Sequence, residues 1–190
     1  DRVSKIYHGL TRLGLACWFD EVEMDGIIID KMCAGIKAST TILVCVTEQY
    51  IDKVGGANEQ DNCKKEFNFA EVKKGGQAMI PVLMDPKVSN TKEWEGPVCM
   101  VLASKLYVDF SDHKIWQPEG HALFDAKLKE LHGRVVSMVK ELGQTLVAEL
   151  PPVPPVSSTN VRVATPSTNI ARSSPPIATV ATNVVRVASP

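Results

Sequence analysis

With 190 residues, 44% apolar and 23% charged, the chain has a globular composition and length enough for one core. A formal net charge of −1 excludes the basic balance expected of nucleic-acid or anionic-membrane binders. No apolar run reaches the roughly 18–20 residues of a membrane span, and five cysteines with no Cys-x-x-Cys pair speak against a disulfide scaffold or a zinc ribbon. A reducing, cytoplasmic setting is expected. The chain opens on Asp1 and at once becomes amphipathic, so it reads as a fragment whose beginning is missing.

Val3, Ile6, Leu10 and Leu13 step by three and four, which predicts a helix over 2–14 that stops at Gly14. Leu15-Ala-Cys-Trp-Phe19 is a short apolar run of strand length. Gly26 opens a second predicted helix with Ile28, Ile29, Met32, Cys33 and Ile36 inward. Thr41–Thr47 is β-branched and apolar throughout, as a strand covered on both faces would be. Residues 62–74 read as a charged helix burying Phe67 and Ala70, ended by Gly75-Gly76. Ala78–Met84 is the next buried strand, a short helix near 94–103 follows, and Lys105–Phe110 is a fourth strand. Phe124, Leu128, Leu131, Val135, Met138, Val139 and Leu142 mark a long closing helix.

Short apolar strands alternating with helices predict an α/β fold, a flavodoxin-like parallel sheet with helices on both faces. The series opens on a helix without a strand before it. In the strand order 2-1-3-4-5 the absent first strand lies inside the sheet. Four strands and a gap are therefore expected, with the missing strand supplied upstream of Asp1. Composition changes at Pro151. Residues 1–150 hold 18 Lys and Arg and 22 Asp and Glu, whereas 151–190 hold three Arg and no acid, with eight of the twelve prolines. A domain over 1–149 and a disordered tail or linker over 150–190 are expected. A loose repeat runs through the tail: Thr159–Pro166, Thr168–Pro175 and Thr182–Pro190.

No P-loop, dinucleotide fingerprint, zincin motif or serine-hydrolase elbow is present. His113 and His121 stand near one another in a loop, where a solvated pair is the expected reading and no metal site is assigned. Three segments carry chemistry. Asp20-Glu-Val-Glu-Met-Asp-Gly26 leaves a strand at its carboxyl end, where parallel sheets place ligands; its four acids make it a solvated connection or a mobile contact loop. Tyr50, after the next strand, could stack on a ring ligand or cap the core. In Asp61-Asn-Cys-Lys-Lys-Glu-Phe67, Asp61 or Asn62 can cap a helix. Glu66 there borders the apolar face, either as a carboxylate able to stabilise positive charge or as a surface acid paired with a lysine.

In order along the chain, Trp18-Phe-Asp20 with Glu23-Met-Asp-Gly26, Met32–Ile36 with Ser39, the strand 41–47 with Glu48-Gln-Tyr50, Asp61–Phe67, Ile80–Met84, and Trp94–Pro97 with Leu106–Phe110 resemble the Toll/interleukin-1 receptor (TIR) domain. The resemblance spans residues 1–149 without the family's first strand. It implies an intracellular signalling module that assembles with other TIR domains, as a homo-oligomer on activation, through the loop Glu21, Val22, Glu23, Met24, Asp25 and Gly26. It also implies an alternative: NAD⁺ cleavage to nicotinamide and ADP-ribose or its cyclic form, with NAD⁺ as substrate and no resident cofactor. On that alternative Glu66 is the catalytic carboxylate, and Asp20, Gly26, Tyr50 and Asn62 fall at the substrate site. Enzymatic members often carry Trp four residues before the glutamate, where this chain has Asn62.

Overall fold

The computed structural model describes residues 2–19, 28–148 and 184–188, with backbone alone at 28, 144–148 and 184–188. Six helices are α1 (Arg2–Arg12), α2 (Ile28–Ala38), α3 (Glu48–Gly55), α4 (Asn62–Lys74), α5 (Gly96–Leu102) and α6 (His121–Ala148). Five strands are β1 (Ala16–Phe19), β2 (Thr41–Val46), β3 (Met79–Leu83), β4 (Val108–Asp109) and β5 (Val184–Ala188). They form one parallel sheet in the order β1-β5-β2-β3-β4.

Alternation along β2 divides the core. Leu43 and Cys45 face α1 and α6, joining Val3, Ile6 and Leu10 of α1 and Leu128, Leu131 and Val135 of α6. Ile42, Val44 and Val46 face the other layer, which holds Ile36, Tyr50, Phe67, Val98 and Leu102 from α2, α3, α4 and α5. All six residues of β2 are buried, as an uninterrupted apolar strand requires. At Gly9 an added Cβ would lie 2.5 Å from Leu128 Cδ2, so the glycine lets α1 approach α6 closely. Beyond the ladder proper, Met84 N–H donates to Val46 O at 2.9 Å and Phe110 N–H to Leu83 O at 2.8 Å.

The parallel sheet with helices on both faces agrees with the predicted α/β class, and several details correct the sequence reading. Among the described residues the sheet has five strands. β5 lies between β1 and β2, where the sequence reading puts the family's first strand. Val184-Val-Arg-Val-Ala188, within the segment expected to be a tail, is rich in β-branched residues and pairs along both its edges. The helix α3 was not foreseen. Thr47 caps it by accepting from Tyr50 N–H at 3.0 Å, and Tyr50 and Val54, four apart, anchor it. Ile29, expected inward, is 47% exposed. Strand β4 is two residues long rather than six, and α6 begins at His121. His113 and His121 are both exposed. Among the described residues, no helix is long and apolar enough to cross a membrane.

Candidate functional site

The start of α4 organises the site. Asp61 is its cap: Oδ1 accepts from Cys63 N–H at 2.8 Å and from Lys64 N–H at 3.4 Å, satisfying donors the helix cannot use itself. The cap sets the helical phase, which places Cys63, Glu66, Phe67 and Ala70 on the buried side. Gly75, at φ +72°, ends the helix with its N–H donating to Glu71 O at 2.8 Å.

Glu66 is only 4% exposed, one of four buried polar residues among those described. The two lysines that precede it on the helix make contacts of their own. Lys64 Nζ donates to Glu59 and, at 2.8 Å, to Gly56 O; Lys65 Nζ donates to Gln60 Oε1 at 2.7 Å. The charge of Glu66 is felt by two thiols. Burial pushes Cys45 up to about 12, with the Glu66 carboxylate adding to the rise. Burial likewise raises Cys63 to about 11; Lys53 opposes that rise, while Asp61 and Glu66 reinforce it. The carboxylate of Glu66 thus acts electrostatically on thiols of both β2 and α4.

Tyr50 is wholly buried, its ring edge-on to Phe67 with centroids 6.4 Å apart. Of the two roles open to it in the sequence, capping the core is the one this packing displays. Asn62, the first residue of α4, is exposed. Asp20, Glu21, Val22, Glu23, Met24, Asp25 and Gly26 lie outside the described residues. The structure thus brings Glu66 and Tyr50 into one layer through α3 and α4, and leaves Asn62 on the rim.

Sequence reading missed a second feature. Lys5, His8 and Arg12, spaced by three and four on α1, lie on its exposed side. With His121, Trp116 and Phe124 they line a cleft of about 890 Å³. Arg2, on the same helix, stacks its guanidinium 5.2 Å from the Trp116 ring centre. The signal was present as the polar complement of the apolar stripe, which alone was used to predict the helix.

A family model for the TIR domain matches residues 1–125, about two thirds of the chain. The chain belongs to the TIR domain family. The match runs from α1 into the start of α6 and covers the whole Asp61–Phe67 segment. No curated protein matches the chain, and no solved structure does. Among the described residues of this TIR domain, Glu66 and the exposed basic side of α1 are features that bear on function.

Proposed function

We propose that this TIR domain is a signalling module that works by self-assembly, joining the acidic loop 20–26 of one copy to the basic side of α1 on the next. The observation that carries this reading is the exposed row Lys5, His8 and Arg12, a surface complementary to a loop with four carboxylates. Such pairing steers encounter and fixes orientation more than it adds affinity, which suits reversible assembly in signal transduction. TIR domains as a family interact with one another, and family membership supports this class of partner. The test is a charge exchange. Glu21→Lys with Glu23→Lys should reduce self-association measured by light scattering, as should Lys5→Glu with Arg12→Glu. A mixture of the two variants should associate again. Unchanged particle size in either single variant would refute the loop-to-α1 contact. Substitution of Gly26, which alters the loop backbone, should weaken assembly too.

A second reading rests on a separate observation, the burial of Glu66 three residues after Cys63. A buried carboxylate can steady the oxocarbenium-like transition state formed as nicotinamide leaves the ribose of NAD⁺. Nicotinamide release that disappears in both Glu66→Ala and Glu66→Gln, with each variant folded, would support this reading. No release by folded, self-associating protein would leave the glutamate a structural acid.

A further inference from the structure

The cleft between α1 and the start of α6 joins a cationic wall to an aromatic one over an apolar floor. Its volume of about 890 Å³ falls within the roughly 300–1,000 Å³ of small-molecule sites. The floor is Ile115, 6% exposed and part of the core layer of α1 and α6. Lys5, His8 and Arg12 form the cationic wall, and His121 at the start of α6 joins them on the lining. Neither Lys5 nor Arg12 has an ion pair among the described residues, and neither has Asp125, the acid on the same lining. Like charges gathered in a cleft with low-dielectric walls focus their field and concentrate anions there.

The aromatic wall is held in place before any ligand arrives. Trp116 Nε1–H donates to Phe110 O at 2.9 Å, and the Arg2 guanidinium lies 5.2 Å from the Trp116 ring centre. Phe124 packs edge-on to the same ring, with centroids 5.7 Å apart. Both rings are half-buried and both line the cleft, so part of each stays open to it. An indole fixed in this way loses little rotamer freedom when a planar ligand meets it.

We propose that this cleft is a binding site for a phosphorylated, ring-bearing small molecule of the nucleotide class. Phosphate oxygens accept charge-assisted hydrogen bonds from Lys5 and Arg12, and His8 and His121 each carry an N–H to add in either protonation state. The heteroaromatic ring meets Trp116 and Phe124, while Asp125 accepts from a sugar hydroxyl or a ring amine. An inorganic anion would leave the aromatic wall unused, and an uncharged ring would leave the cations without a counter-charge. The site is separate from Glu66, whose helix α4 packs on the opposite face of the sheet. A nucleotide here covers the cations that self-assembly offers to the loop 20–26, so occupation and assembly compete. That consequence, unlike the site itself, rests on the proposed loop-to-α1 contact.

Titration calorimetry of the full chain with adenosine diphosphate, adenosine and inorganic pyrophosphate separates ring from phosphate. Saturable binding of the diphosphate is expected, with adenosine and pyrophosphate each at least about tenfold weaker. Either of them binding as tightly as the nucleotide overturns the proposal, as does no nucleotide binding up to about 1 mM. Lys5→Ala with Arg12→Ala, at exposed helical positions where alanine keeps the helix, should weaken the nucleotide at least about tenfold. Unchanged affinity in that variant overturns the site. In the unsubstituted chain, nucleotide should shift the indole N–H resonance of Trp116 and leave that of Trp94, which belongs to the other core layer. Binding that leaves Trp116 unmoved lies elsewhere and overturns the site too. Saturating nucleotide should also shrink assembled particles in light scattering. Binding as expected with unchanged particle size upholds the site and removes the loop-to-α1 contact. No binding, with particle size still governed by the charge exchange, removes the site and leaves the contact.

Discussion

At the scale of single residues, burial sets the chemistry. Thr41 Oγ1 is buried without a hydrogen-bond partner among the described residues, at the start of β2 where it faces β5. An unpaired buried hydroxyl loses its hydration without return. Thr41→Val keeps the shape and removes the deficit, so it should stabilise the fold by about 1 kcal/mol, read as a higher urea midpoint. Cys45 makes a prediction about pH. Burial, helped by Glu66, holds its thiol at about 12, against 9.0 for an ordinary thiol. Below pH 9 both folded and unfolded chains keep the proton. Above it the unfolded chain releases the proton first, so stability falls as pH rises from 9 towards 12, at up to about 1.4 kcal/mol per pH unit. Cys45→Ala should be less stable at pH 7 but show a shallower alkaline decline. An equally steep decline in urea midpoints across pH 9–11 would remove Cys45 as a cause. The buried state of Glu66 was not legible at this scale, because its spacing fits an apolar-face border and a surface acid equally well.

At the scale of elements, caps and stripes carried most of the readable information. The bounds predicted for α4 coincide with Asn62–Lys74 because both ends are written in local chemistry, an aspartate cap and a glycine with positive φ. Asp61→Ala should cost about 1 kcal/mol of stability. It should also lower the Cys63 thiol pKa, since the Asp61 charge and hydrogen bond both raise it. Faster alkylation of Cys63 in the folded variant checks this; an unchanged rate would show that the cap has no influence on the thiol. The helix α3 escaped prediction although Thr47 supplies its cap. Its eight residues hold only two buried anchors, too few for a stripe to stand out. Strand β4 was overestimated because Lys105–Phe110 is apolar for several reasons: Leu106 is 80% exposed, while Val108 and Phe110 are buried.

At the scale of the whole molecule, one segment decides whether the sheet is continuous. Val187 pairs with Phe19 on one side and Leu43 on the other. Val187→Pro removes a donor from the middle of a central strand and should destabilise the fold by about 3 kcal/mol or more. Hydrogen exchange should then quicken first in β1, whose sheet pairing passes through β5. Exchange confined to residues 184–188 would mean that β1 is held by α1 alone.

Alone, the sequence determined the class of fold, the alternation of helices and strands, and the family: these rest on local periodicity, caps and motif order, each contained in a few consecutive residues. Only the tertiary structure showed that 184–188 pair as a strand, because β5 pairs with residues more than 140 positions away and a short β-branched run in a proline-rich tail resembles any linker. The same limit applied to Glu66 and Tyr50. Their burial is created by neighbours from β2 and α3, and periodicity within α4 says which side of a helix a residue occupies but not how deeply that side is covered.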